Sequence, residues 1–194
     1  MAIETRTACA VALKEWAVTV HALGQGKQIV LLRKGGIREE GKEFRVEHPQ
    51  FLLYPTYEHQ RADLLQPPYQ PDLEAVLAAA PPADTLRLDY WAEVTDIYET
   101  LDSADVEALA PYYIFTTNYA EERLRWRPKK PLYILLLRTY RLPQPVRLPL
   151  LPSYGGCKSW IQLERAIPLD GLTPVLDEAA YAARRAEIRA ALHR

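Results

Sequence analysis

Sulfur is scarce in this 194-residue chain, which has two cysteines and one methionine. Cys9 and Cys157 stand far apart and form neither a CxxC pair nor another metal-ligand spacing. A disulfide-rich secreted scaffold is therefore excluded, because such a scaffold needs several closely spaced cysteines. The reducing cytoplasm is the expected location of the protein.

Long hydrophobic runs and nucleotide-binding fingerprints are also missing. No apolar run approaches the roughly 18 to 20 residues that a membrane-spanning helix needs, and MAIETRTACA lacks the basic and apolar regions of a secretory signal. GxGxxG after a strand and GxxxxGK[ST] are both absent. The histidines His21, His48, His59 and His193 lack HxH or HxxxH spacing. The sequence therefore predicts no membrane contact, no metal site and no cofactor.

Proline, by contrast, is abundant, and sixteen prolines separate short periodic segments. Helical spacing of apolar residues predicts helices at 10–23, 71–80 and 177–193. Alternating or short apolar segments predict strands at 28–33, 44–54, 85–101, 131–142 and 160–167. The first two strands are predicted to form a hairpin. Because strands outnumber strand–helix–strand units, the fold class is predicted as α+β, with a small, mostly antiparallel, barrel-like sheet and peripheral helices. One domain over residues 1–170 would carry a C-terminal helix within 171–194.

Charge is divided unevenly along the chain, although the net charge is only -1. Residues 67–110 contain ten acidic residues and a single arginine, whereas residues 111–160 contain nine basic residues and two glutamates. Such blocks indicate either ordinary solvated surface or a basic face that meets phosphates while an acidic face points elsewhere. Both interpretations stay open.

The loop LLRKGGIREEGKEF, residues 31–44, is the first candidate site. Arg33, Lys34 and Arg38 surround Gly35 and Gly36, so backbone amides and cations could approach a phosphate together. Three glutamates follow within the same loop and offset that positive field. A charged hairpin loop without a ligand is the alternative interpretation.

The segment YPTYEHQ, residues 54–60, is the second candidate site. Tyr57, His59 and Gln60 are the types of side chain that stack on a base and hydrogen-bond to its edge. Glu58 and His59 could instead act as a general acid and base. The alternative is that the tyrosines pack in the core and His59 lies on the surface.

The run RLRWRPKK, residues 123–130, has five cations around one tryptophan. Arg125, Trp126 and Arg127 fit an electrostatic track with a stacking platform. Lys158, next to the glycine pair at 155–156, could extend that track. A basic helix end with a buried tryptophan is the alternative.

Residues 12–48, ALKEWAVTVHALGQGKQIVLLRKGGIREEGKEFRVEH, continue into FLLYPTYEHQ at 51–60. Together they resemble the bacterial domain-of-unknown-function family 1802. The strings RKGGI at 33–37 and YPTYEHQ at 54–60 carry the resemblance. Because some family members are joined to restriction-endonuclease-like domains, the resemblance implies a part in restriction of foreign DNA and a restriction-type partner protein.

A second, remoter resemblance concerns the fold. A helix ending at Gly26-Lys27, then a strand ending at Arg33, is similar to the opening of PUA-like domains of the ASCH and EVE kind. Those domains are small β-barrels that bind RNA or modified bases. The ASCH pattern has Lys where this chain has Gln28 and Glu where it has Leu31, so no catalytic residue carries over.

Three hypotheses about function remain open at this point. The first is a nucleic-acid-binding module that reads a modified or flipped base. The second is a hydrolase acting on nucleic acid or nucleotide, with Glu58 and His59 as the acid–base pair and Arg33 on a phosphate. The third is a protein-interaction subunit whose acidic face, residues 67–110, docks a basic partner. The small-residue stripe Ala179, Ala183, Ala186 and Ala190 could then serve a homodimer.

Overall fold

The computed structural model describes residues 7–34, 47–125, 128–156 and 158–193. Its strands are β1 (Ala8–Trp16), β2 (Val30–Arg33), β3 (Gln50–Thr56), β4 (Thr85–Thr100), β5 (Leu132–Pro149), β6 (Trp160–Pro168) and β7 (Thr173–Pro174). Its α-helices are α1 (Ala17–Gly24), α2 (Gln70–Ala78), α3 (Ser103–Ala108), α4 (Thr117–Arg125) and α5 (Glu178–Leu192).

All seven strands belong to one sheet in the order β2-β5-β4-β3-β1-β6, with β7 paired to β5. Among the described strands, β1 with β3 is the one parallel pairing. The predicted α+β class and the mostly antiparallel sheet are confirmed. The predicted hairpin is wrong, because β2 pairs with β5 while β3 pairs with β1 and β4. No pairing joins β2 to β6 in the part of the chain described here, so a closed barrel is not observed.

The pair of β4 and β5 is the longest in the sheet, running from Thr85 opposite Pro149 to Thr100 opposite Leu132. The register shifts twice along β4, between Leu88 and Tyr90 and again between Val94 and Asp96. Each of these shifts is a β-bulge or a local irregularity of the pairing. Each bulge bends the strand and increases its twist.

The first half of the helix predicted at 10–23 is wrong, since residues 8–16 form β1 and only residues 17–24 form α1. Seven of the eight residues of α1 are buried. A helix buried on nearly all sides has no polar face, so its apolar residues carry little helical periodicity. Packing against the sheet therefore decided where the strand ends and the helix begins.

The sheet curls strongly, as a contact between two non-neighbouring strands shows. The Nη1 atom of Arg33, at the end of β2, lies 2.8 Å from the Oε2 atom of Glu15, near the end of β1. These strands are four positions apart in the sheet order, which in a flat sheet would separate them by about 19 Å. Only a curved sheet brings the two side chains together.

Helix α5 begins as the sequence indicates, because the Asp177 carboxylate accepts a hydrogen bond from the Ala180 N–H. The helix packs on the protein through Tyr181, Ile188 and Ala191. Its small-residue stripe faces solvent instead. Within the described ranges, the longest helix is too short and too polar to cross a membrane.

An ion pair also attaches α5 to β4. The Asp96 carboxylate accepts hydrogen bonds from Nε and Nη2 of Arg185 at 2.6 and 2.9 Å. Burial alone raises the pKa of Asp96, but the hydrogen bonds from Arg185 and Thr95 outweigh it and hold that pKa below its usual value. The stability from this depressed pKa is present above about pH 4 and is lost as the pH falls through the folded-state pKa.

We therefore expect the substitution Asp96→Asn to remove part of the acid sensitivity of the protein. At neutral pH it should cost about 1 kcal/mol, because Arg185 is over one-third exposed and its charge is screened. Urea unfolding from neutral pH down to about pH 3 should show a shallower loss of stability for the variant below about pH 4. Parallel curves for the two proteins would contradict this assignment.

Candidate functional site

Arg33, the leading cation of the first predicted site, is buried. Its guanidinium Nη1 donates to the Glu15 Oε2 at 2.8 Å, and the two side chains are 10% and 3% exposed. The same nitrogen lies 3.4 Å from the Lys14 carbonyl oxygen. A guanidinium neutralised inside the protein is not available to an external phosphate, so we do not propose the predicted role again for Arg33.

Lys34 is buried as well, with 3% of its surface exposed. Its ammonium group donates a hydrogen bond to the Leu124 carbonyl oxygen in the last turn of α4. A cation at that position satisfies a carbonyl that has no partner within the helix and opposes the helix dipole. Burial lowers the pKa of Lys34. Gly35, Gly36 and Arg38 lie outside the described residues.

Gln60 completes the first turn of α1 rather than facing a base. Its Oε1 accepts the Val18 N–H at 2.9 Å, and its Nε2 donates to the Tyr57 carbonyl oxygen at 3.3 Å. Trp16, at the N-cap position of α1, makes no capping hydrogen bond with its side chain. An amide from the loop after β3 therefore supplies the cap that the local sequence lacks.

Glu58 and His59 lie in an open turn. Their side chains are 90% and 92% exposed, and His59 has a φ of 59°. A left-handed backbone is uncommon for residues other than glycine, although histidine tolerates it better than most. Tyr57 is half-buried, and burial together with Asp89 raises its pKa. Since no wall of protein encloses Glu58 and His59, we propose no catalytic role for them.

Arg125 and Lys158, the remaining predicted cations that the structure describes, are both exposed. Arg125, at the end of α4, pairs with Glu121 at 2.6 Å and is 78% exposed. Lys158 is exposed and lies 3.4 Å from the Ser153 carbonyl oxygen. Trp126 and Arg127 lie outside the described residues. Arg125 therefore stays available as a surface cation.

A groove does exist, at the place where β1 passes into α1. It has a volume of about 300 Å³ and lies between the short 3₁₀ turn at 62–64 and α4. The groove is lined by Trp16, Arg61, Leu64, Tyr119, Glu122 and Arg123. It thus combines apolar and aromatic surface with two guanidinium groups and one carboxylate.

Three planar groups are stacked beside this groove. The rings of Phe115 and Tyr119 lie 3.7 Å apart at an angle of 8°. On Tyr119 the Arg123 guanidinium lies 4.4 Å from the ring centroid. Trp16 is tilted by about 60° to Phe115 at a centroid distance of 5.7 Å. Positions 119, 122 and 123 point to the same side of α4, because residues three and four apart share a helix face.

Arg123 is the charged member of the stack. Burial raises the pKa of Tyr119, so its hydroxyl stays protonated at neutral pH. Burial alone lowers the pKa of Arg123, but Tyr119 and Glu15 more than offset that effect and leave the pKa raised. Arg123 Nη1 also lies 3.5 Å from the Leu32 carbonyl oxygen. The guanidinium is therefore charged, and its contacts on two elements hold it in place.

Sequence reasoning selected none of the groove residues for the predicted site, although Arg123 lies in a candidate segment. Arg123 belongs to the basic run at 123–130, yet Arg125 and its neighbours were selected from that run instead. The spacing of Tyr119 and Arg123 by four residues in a helix was the available signal, since it places a cation over a ring. Trp16 and Arg61 gave no comparable local signal.

Metal ligands are not grouped in the part of the structure that is described. No cluster of three His, Cys, Asp or Glu side chains there could hold a metal ion. We therefore describe the groove by its stacking surface and its charges.

Comparison with known protein families assigns the chain to one family. A family model described as Domain of unknown function (DUF1802) matches residues 12–187. The chain belongs to this family. The DUF1802 match includes α1, α4 and the second half of β1, the elements around the groove, and it confirms the resemblance noted in the sequence.

Two solved structures are similar to this DUF1802 protein, both of variants of ZmASCH from Zymomonas mobilis. One has 12% sequence identity and a TM-score of 0.40, covering 80% of this chain and 90% of that chain. The other has 11% sequence identity and a TM-score of 0.40, and the match covers 92% of this chain and 94% of that chain. No curated protein matches the chain, and neither the family model nor these structures supports the predicted link to restriction.

Proposed function

We propose that this protein is a nucleic-acid-binding module that takes one unpaired base into the groove beside α4. The observation that carries the proposal is the stack of Phe115, Tyr119 and Arg123, of which Tyr119 and Arg123 also line the groove. Proteins that bind single strands place bases on aromatic rings and on guanidinium planes. A base would form the fourth layer of this stack.

The size of the groove favours a single base over a duplex. About 300 Å³ is at the lower end of the volumes of pockets that hold small ligands. A duplex instead requires a protein surface of roughly 1,000 Å² or more that follows its grooves. The base would therefore come from a single strand, a loop or a flipped position.

Exposed cations near the groove would contact the flanking phosphates. Arg61 lines the groove, whereas Arg125, two residues after Arg123 on α4, projects from another side of the helix, so only a strand that leaves the groove around α4 would reach it. Both have carboxylate partners on the surface, Asp63 and Glu121, which a phosphate would have to replace. The expected phosphate contacts are few, so most of the affinity would come from the base.

We also propose that the curled sheet is an incompletely paired form of a PUA-like barrel. The contact between Arg33 and Glu15, which brings β2 close to β1, supports that interpretation. The domain over residues 1–170 would be completed by β7, which pairs with β5, and α5 would pack on it as a C-terminal element.

Fluorescence anisotropy with labelled oligonucleotides tests the proposed function. Single-stranded DNA and RNA should bind, and a matched duplex should bind at least tenfold more weakly, because its bases are already stacked and paired. The logarithm of affinity should fall with the logarithm of salt concentration at a slope of about -0.7 per neutralised phosphate, giving roughly -0.7 to -1.4. Absence of binding by every oligonucleotide at low salt would refute the proposal.

A further inference from the structure

Glu122 introduces a negative charge into a groove otherwise suited to nucleic acid. Its carboxylate lines the groove on the α4 side, with 56% of the side chain exposed. Phosphates would be repelled by this charge, so it has no obvious use in general binding. A carboxylate beside a stacking plane can nevertheless recognise hydrogen-bond donors on the edge of a base.

The hydrogen-bonding capacity of Glu122 is largely unused. Its closest cation among the described residues is Arg61, whose Nη1 lies 3.8 Å from the Glu122 Oε2. That distance exceeds the length of a hydrogen bond. Arg61 itself is turned toward Asp63, to which it donates from Nε at 3.2 Å and from Nη2 at 2.5 Å. The Glu122 oxygens are therefore free to accept hydrogen bonds from a ligand.

A charged carboxylate can only accept hydrogen bonds, and this property distinguishes the bases. Cytosine and adenine present exocyclic amino groups, which donate. Thymine and uracil present a carbonyl oxygen at the equivalent position, which a carboxylate would repel, and their one donor, N3–H, lies between two such oxygens. The donor–acceptor pattern at the groove thus matches amino-bearing bases.

We infer that Glu122 makes the groove selective for unpaired bases with an exocyclic amino group, with Arg123 stacking on the base and Glu122 accepting from its edge. The inference rests on the proposed function and assigns a substrate class to the same site. A hydrogen bond to a charged group should favour the amino-bearing base by about 10- to 100-fold.

Anisotropy titrations with fluorescein-labelled oligo(dC), oligo(dA) and oligo(dT) of equal length test the inference. The native protein should bind oligo(dC) and oligo(dA) at least tenfold more tightly than oligo(dT). The variant Glu122→Gln should reduce that preference to about threefold or less, because an amide presents a donor as well as an acceptor. Its affinity for oligo(dT) should rise at the same time.

Glu121→Gln is the matched control. Glu121 is adjacent in the sequence and the substitution removes the same charge, but its carboxylate bonds to Arg125 at 2.6 Å and does not line the groove. This variant should retain the native base preference. Equal binding of all three oligonucleotides by the native protein, or equal effects of the two variants, would overturn the inference while leaving the proposed function intact. Failure of all three to bind at low salt would overturn both.

Discussion

Replacing Arg33 by alanine should lower the free energy of unfolding by about 3–5 kcal/mol, the largest stability effect that we expect in this protein. The reason is that Glu15, whose side chain is 3% exposed, would lose its buried counter-charge. In a chain of this size the midpoint of thermal unfolding should fall by roughly 6 to 20 °C. Thermal and urea unfolding followed by circular dichroism measure the change.

Two further variants make this prediction specific. Arg125→Ala removes an exposed arginine and should leave the midpoint almost unchanged. The double variant Glu15→Leu, Arg33→Met should recover most of the lost stability, because apolar side chains can replace a buried ion pair at little cost. A loss below about 1 kcal/mol for Arg33→Ala would mean that water compensates the Glu15 charge.

The Arg33→Ala variant also tests whether Arg33 stabilises the fold without contributing to nucleic-acid binding. Because the Arg33 guanidinium is turned toward Glu15, it should not contribute directly to a nucleic-acid contact. At temperatures where the variant is folded, its affinity for single-stranded oligonucleotides should equal that of the native protein. A selective loss of affinity in the folded variant would restore the phosphate contact that the sequence predicts.

Replacing Arg123 by alanine should weaken binding of single-stranded oligonucleotides by about 1–3 kcal/mol, or roughly 5- to 150-fold. The substitution removes the outer plane of the stack with Phe115 and Tyr119, on which we propose that the base lies. Arg123→Lys is more informative, because it keeps the charge and removes the plane. It should lose nearly as much affinity as the alanine variant. Anisotropy titrations at constant salt measure both.

Arg125→Ala serves as the control on the same helix. It removes an equal charge without touching the stack, so it should change affinity only slightly and reduce the salt slope by at most about 0.7. Thermal unfolding of each variant should be checked, since Arg123 also contacts the Leu32 carbonyl oxygen. Native affinity in Arg123→Lys would show that only charge matters and would contradict stacking.

Periodicity in the sequence predicted the elements that have one clearly apolar face. The strand at 85–101 and the helix beginning after Asp177 were correctly placed, because the strand pattern is long and the helix cap is local. The strand at 131–142 was predicted too short, since β5 continues to Pro149 past prolines that normally interrupt a strand. The first helix was misplaced because its surroundings bury almost all of it. The β2–β3 hairpin was wrong because strand partners depend on the whole sheet, and neighbouring strands in sequence need not pair.

The candidate site was harder to predict for a related reason. The glycine–arginine loop and the Tyr57–Gln60 segment contain residue types that suit nucleic acid, but residue type does not reveal whether a partner is nearby. Arg33 forms an ion pair with Glu15, Lys34 donates a hydrogen bond at the end of α4, and Gln60 accepts one at the start of α1. Each cation or amide was used by a distant backbone or side-chain group of the same chain.

By itself, the sequence determined the α+β class, most strand positions, the family and the scarcity of metal-binding patterns. Only the tertiary structure decided which polar groups are buried and which line a groove. The curl of the sheet brings Arg33 to Glu15, and the packing of α4 stacks Arg123 on Tyr119 beside Trp16. The physical reason is that hydrophobic periodicity is encoded over a few neighbouring residues, whereas the burial of a charge depends on partners that only folding brings together.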